Sequence, residues 1–166
     1  MRDNPKSRDS GGERDAFRDP YLDALRMLGR RELSEAQVRQ RLARRGHEEH
    51  AVEEALTRLR REGALDDRRA AEAVARRESS RGHGRLRAGW RLEQAGIDPA
   101  IASRALDDAF AGADEDERIR ESIARRVHGR MHALDDREFQ RIYRALVAQG
   151  FDPDRVLRAL KARSIE

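Results

Sequence analysis

Leu92-Glu93-Gln94-Ala95-Gly96-Ile97-Asp98-Pro99 and Leu146-Val147-Ala148-Gln149-Gly150-Phe151-Asp152-Pro153 are one turn written twice. Glycine reaches the left-handed backbone that ends a helix, and the apolar residue after it folds back onto the helix pair. Aspartate then caps the next helix and proline opens it. A weaker copy lies 50 residues before Gly96, where Leu42 leads to Gly46-His47-Glu48-Glu49. Nine and ten residues after each glycine stands the same pair: Ala55-Leu56, Ala105-Leu106 and Ala159-Leu160. Self-similarity at this period is the mark of a helical repeat.

Helical grammar fills the chain around these turns. Asp19-Pro20 reads as N-cap and first helical residue, and Tyr21, Leu25 and Leu28 form one stripe up to Gly29. Ser34 with Gln37 is a capping box, followed by Val38 and Leu42 on one face. Val52, Leu56 and Leu59 mark a third helix, closed by Gly63. Each copy is thus helix, helix, tight turn, helix. The expectation is an all-α protein: an elongated, curved array of three tandem three-helix repeats with helix-turn-helix-like units. The repeats are placed at 19–64, 65–112 and 113–166, after a disordered tail over 1–18. The second is the leanest, because Ala70, Ala71, Ala73 and Val74 replace bulkier residues, so its first helix is expected to pack closely or weakly.

Composition agrees. Only 37% of the 166 residues are hydrophobic and 41% are charged, too few apolar side chains for one large spherical core. Alanine, leucine, arginine and glutamate dominate, which disfavours strands. No apolar run approaches the roughly 20 residues of a membrane span, and the polar N-terminus has no secretory h-region. Without cysteine there is no disulfide and no thiolate metal site, which fits a cytoplasmic protein.

A catalytic constellation is not found. Gly82-His83-Gly84 reads as a short flexible hinge, because a phosphate cradle needs more glycine context. Ser79-Ser80 has no base at convincing spacing and reads as a polar helix end. His128 and His132 share a helical face, but no third ligand accompanies them, and a solvated helix end is the better reading. His47 and His50 read as surface residues. Asp66-Asp67 and Asp135-Asp136 open helices, where carboxylates suit the dipole. Asp107, Asp108 and the run Asp114–Glu117 read as caps, with an acidic contact for a basic partner as the alternative. No cofactor, metal or small-molecule substrate is expected.

Basic clusters are the strongest functional signal. Of the 36 basic residues, all but Lys6 and Lys161 are arginine, whose guanidinium forks onto phosphates and carboxylates. Residues 76–91 hold Arg76, Arg77, Arg81, Arg85, Arg87 and Arg91 against one acid, Glu78. Residues 30–45 hold Arg30, Arg31, Arg39, Arg41, Arg44 and Arg45 against Glu32 and Glu35. Arg125, Arg126 and Arg130 form a smaller group. The candidate contact residues, chosen on charge, are Arg30, Arg31, Arg44, Arg45, Arg76, Arg77, Arg81, Arg85, Arg87, Arg91, Arg125, Arg126 and Arg130. For any one of them the competing reading is a solvated face. Repeated basic patches suit a polyanion or an acidic protein groove. Trp90 alone lies near a basic patch, which argues against base stacking along a single strand.

The ordered frame Arg31-x-x-Ser34-x-x-Gln37-Val38, Leu42, Gly46, then Gly63-Ala64-Leu65-Asp66-Asp67, Gly82-x-Gly84 and Leu92-x-x-x-Gly96-Ile97 resembles the RecX family. Arg141 through Leu146 to Gly150-Phe151 is similar in the third copy. The resemblance covers about residues 20–162. It departs at Arg69-Ala70, where the family usually has Phe or Tyr, and at Arg91, where it usually has Glu. The resemblance implies a non-enzymatic regulator that binds the RecA filament on single-stranded DNA. Such a regulator lowers the filament's ATPase, strand-exchange and co-protease activities, and so restrains recombination, DNA repair and the SOS response. DNA phosphate would be a further contact. The alternative is a stand-alone helix-turn-helix-like DNA-binding protein; a third possibility is a plain helical scaffold for some other protein.

Overall fold

The structure, a computed structural model, describes residues 19–112, 114–127 and 134–163. Among these the chain is all-α, with nine helices and no strand. It divides after Asp66 into two compact units. The tail over 1–18, His128, Arg130 and His132 lie outside the described residues.

In the first unit α1 spans Pro20–Leu28, α2 Glu35–Arg44 and α3 Glu49–Arg61. Local chemistry sets their starts. The Asp19 carboxylate accepts the Tyr21 amide at 2.8 Å beside Pro20. Ser34 Oγ accepts the Gln37 amide at 3.1 Å while Gln37 Oε1 accepts the Ser34 amide, completing the expected capping box. Glu48 makes no such bond, as its weaker turn sequence suggested. Val38, Leu42, Val52, Leu56 and Leu59 meet in one core with Ala24, Leu33 and Leu65. Fully burying each large side chain stabilises by roughly 1.5–3 kcal/mol.

The second unit holds α4 (Asp67–Ser80), α5 (Arg85–Gln94), α6 (Pro99–Phe110), α7 (Glu115–Val127), α8 (Asp136–Ala148) and α9 (Pro153–Arg163). Two cores lie within it. Ala70, Ala71 and Ala75 of α4 are buried with Leu92, Ala95, Ile97 and Ala105, so the lean helix packs through methyl groups. Ile119, Ile123, Ile142, Leu146, Phe151, Val156 and Leu160 build the other.

The three glycine turns share one geometry. Gly46, Gly96 and Gly150 take φ of +81°, +68° and +87°. The following amide donates to the leucine carbonyl before the turn: His47 to Leu42, Ile97 to Leu92, Phe151 to Leu146, at 3.3, 3.1 and 3.2 Å. Ile97 and Phe151 are thereby buried. His47 occupies the same position in the first turn, and this corrects its reading as a surface residue. Its side chain is 6% exposed and Nε2 lies 3.1 Å from Oδ2 of the buried Asp23. His50 is exposed as expected.

Gly82-His83-Gly84 is not a free hinge. Gly84 is buried, and its amide donates to the Gln149 carbonyl at 2.9 Å. The Leu86 amide donates to the Gly150 carbonyl at 3.1 Å, and Arg87 Nη1 to the Ala148 carbonyl at 3.2 Å. A Cβ on Gly84 would overlap the Gly150 carbonyl. Arg118 closes the seam from α7, donating from Nη2 to the Ser79 and His83 carbonyls at 3.2 and 3.0 Å. The glycine is there for close approach, not for mobility.

Candidate functional site

An arginine can meet a partner only if the fold leaves it uncommitted, and the structure sorts the charge-chosen set on that criterion. In the first unit Arg39 is consumed internally, with Nε 2.6 Å from Glu53 and Nη2 2.8 Å from Glu35. Arg45 is tied to Asp23 at 3.2 Å. Arg30, Arg31 and Arg44 are exposed and make no ion pair among the described residues. Half-buried Arg41 sits among Arg31, Arg44 and Arg45. Burial first, and then these three like charges, lower its pKa. Guanidinium groups crowded this way favour an approaching anion. Arg41 was counted in the basic window but not among the candidates; its place on the last turn of α2 puts it in the cluster.

In the second unit Arg76 is engaged by Glu72 at 3.3 Å and Arg85 by Asp107 at 2.7 Å. Arg87 belongs to the α5–α8 seam, with Nε 3.4 Å from the buried Glu78. Arg77, Arg81 and Arg91 are exposed without an ion pair among the described residues, and Arg91 lies over the Trp90 ring at 5.0 Å. Arg125 pairs with Glu121 at 3.6 Å. Arg126 donates from Nη1 to the Ser122 carbonyl at 2.9 Å, and burial first, then Arg125, lowers its pKa.

A row on α8 escaped the charge count. Arg137, Arg141 and Arg144 fall at i, i+4 and i+7, are all exposed, and carry no ion pair among the described residues. The spacing was visible, but Asp136 and Glu138 dilute the local charge. The acids between 98 and 135 divide between roles. Asp98, Asp114 and Asp135 accept amides at helix starts, whereas Asp107 and Asp116 neutralise Arg85 and Arg155. Ser80 Oγ donates to the Arg76 carbonyl at 2.7 Å, a helix-end role. Among the described residues no group of three or more His, Cys, Asp or Glu could hold a metal, and no helix is long and apolar enough to cross a membrane.

Comparison with known proteins bears on the family and the fold. Residues 21–59 match the family model described as RecX, first three-helix domain. A protein of Halorhodospira halophila named "Regulatory protein RecX" is 34% identical over 154 residues, 93% of this chain and 92% of that protein. A protein of the same name from Chromohalobacter salexigens is 34% identical over 141 residues, covering 85% and 90%. Among solved structures, RecX from Lactobacillus salivarius superposes with a TM-score of 0.65 at 20% identity, over 89% of this chain and 96% of that one. Another, a regulatory protein RecX, gives 0.68 at 22%, over 86% and 70%. At such identities the superpositions speak for the fold: an all-α array of repeated helices.

Proposed function

This chain belongs to the RecX family of regulatory proteins, and from that premise we propose that it is a non-enzymatic regulator of the RecA recombinase. It binds the RecA filament on single-stranded DNA in the cytoplasm and lowers the filament's ATPase, strand-exchange and co-protease activities. Recombination, DNA repair and the SOS response are restrained as a result. The observation that carries this reading is the similarity to regulatory proteins across nearly their whole length. The uncommitted arginines supply the chemistry. Arg31, Arg41 and Arg44 in one unit and Arg77, Arg81 and Arg91 in the other can each reach a carboxylate or a phosphate without breaking an ion pair of the fold.

The test is a titration of the full chain into RecA hydrolysing ATP on single-stranded DNA. Hydrolysis falls at substoichiometric to stoichiometric amounts; unchanged hydrolysis defeats the proposal. Naked duplex DNA distinguishes the second reading, a stand-alone helix-turn-helix-like DNA binder. That reading requires tight, salt-steep and sequence-dependent binding without RecA.

A further inference from the structure

We infer that the groove between α5 and the end of α8 is a docking site for an apolar-tipped, acid-flanked segment of a partner protein. The inference rests on the filament reading and names the chemistry of the contact. Charge selected the arginines around this groove, but two apolar side chains mark it. Leu86 and Trp90 are 55% and 51% exposed, and with Leu22 they are the exposed large hydrophobic residues among those described. They stand one turn apart on the same face of α5. Opposite them lie Val147 and Ala148, and together with Arg87 and Arg91 they line an open groove of about 490 Å³.

The groove is built, not accidental. Its walls come from two different helix groups, and the backbone bonds from Gly84 to Gln149 and from Leu86 to Gly150 hold them in register. Arg87 adds its bond to the Ala148 carbonyl. A partner therefore meets a formed surface and spends little binding energy on ordering it. Half-exposed tryptophan and leucine in such a groove are the kind of anchors that dominate interface energetics.

Charge selects the occupant. Arg87 and Arg91 line the groove, Arg85 opens the same helix, and Glu93 is the one acid of α5. Asp107 and Glu78 already neutralise Arg85 and Arg87. Arg91 and Arg144 remain uncommitted; Arg144 lies one turn before Val147–Ala148. An apolar floor with a cationic rim is complementary to leucine-, methionine- or phenylalanine-type anchors flanked by carboxylates. A nucleic-acid strand fits less well. Strand tracking needs successive aromatic platforms, whereas this groove has one ring, with Arg91 already over it.

Trp90 is the sole tryptophan, so 5-fluorotryptophan incorporation places one 19F reporter in the groove. The resonance is recorded for the full chain alone, with a RecA filament on oligo(dT) and a non-hydrolysable ATP analogue, and with oligo(dT) alone. It shifts with the filament and not with the oligonucleotide. In parallel, Leu86→Ser/Trp90→Ala raises the concentration for half-inhibition of the filament ATPase about 10- to 30-fold, and Arg91→Glu about threefold to tenfold. Both hydrophobic side chains are exposed, so the double variant keeps the wild-type circular dichroism and melting temperature. If wild type inhibits and the double variant inhibits equally, the groove is not the docking site, while the regulatory reading stands. If wild type itself does not inhibit, the regulatory reading falls. A resonance moved by oligo(dT) alone assigns the groove to nucleic acid and overturns the inference.

Discussion

Asp23 is a carboxylate 4% exposed on α1, ringed by three basic side chains: Arg26 and Arg45 at 3.2 Å and His47 at 3.1 Å. Burial by itself would raise its pKa. Hydrogen bonds from His47 and Arg45 outweigh burial, and the pKa lies below the ordinary carboxylate value. With a depressed folded pKa, the unfolded chain binds the proton first. The contribution to stability is therefore complete above about pH 4 and is lost as pH falls from there through the folded pKa. Asp23→Asn should cost on the order of 1–3 kcal/mol at pH 7, because a buried charged acceptor is lost. It should also flatten the acid limb of the stability profile. Urea titrations at pH 7 and on a series below pH 4 check both; an unaltered acid limb in the variant would show that Asp23 does not set it. His47 shows why this site was hidden in the sequence. A histidine after a helix-ending glycine looks solvent-facing until its partner, 24 residues away, is known.

At the scale of the helix, the same distinction separates what could be read from what could not. Starts and stops depend on neighbours in sequence. Ser34 with Gln37, Asp98 before Pro99 and the leucine–glycine spacing of the turns therefore announced α2, α6 and the repeat itself. Whether an arginine is available depends on what another helix brings. Arg85 finds Asp107 and Arg39 finds Glu53 across the fold, and no local count could subtract them. A functional consequence follows on α4 and α5. Arg77→Glu/Arg81→Glu changes two exposed, uncommitted residues; it should leave the melting temperature within about 2 °C and weaken filament inhibition about tenfold. Arg87→Glu instead places a second carboxylate beside the buried Glu78 and removes the bond to Ala148. It should destabilise by about 3 kcal/mol or more. Melting curves beside ATPase titrations separate the pair. Equal loss of stability in both variants would refute the sorting by ion pairing.

For the molecule as a whole, the question is how far one three-helix group answers to the next. In the unit formed by α4–α9 the connection is backbone to backbone: Gly84 lies against the Gly150 turn, which itself ends α8. Helical repeats whose interfaces are weak unfold one by one, while strong interfaces make neighbours cooperative. Gly84→Ala is a clean test of this seam. Gly84 has φ −76° and ψ 163°, an extended conformation that alanine adopts freely, so only the added methyl acts. That methyl meets the Gly150 carbonyl, which cannot retreat without stretching the Gly84–Gln149 bond. The variant should lose about 1–3 kcal/mol, as overpacking does. Gly82→Ala, two residues earlier, is the control. Its φ is +75° and its Cβ would enter open space, so it costs about 1 kcal/mol of local backbone energy and leaves the seam intact. Hydrogen exchange in mild denaturant should show α4–α6 and α7–α9 opening together in wild type and in Gly82→Ala. In Gly84→Ala the two groups should open at different free energies. Joint opening in all three proteins would place the cooperativity elsewhere, in contacts such as the Arg118 bridge to the Ser79 and His83 carbonyls.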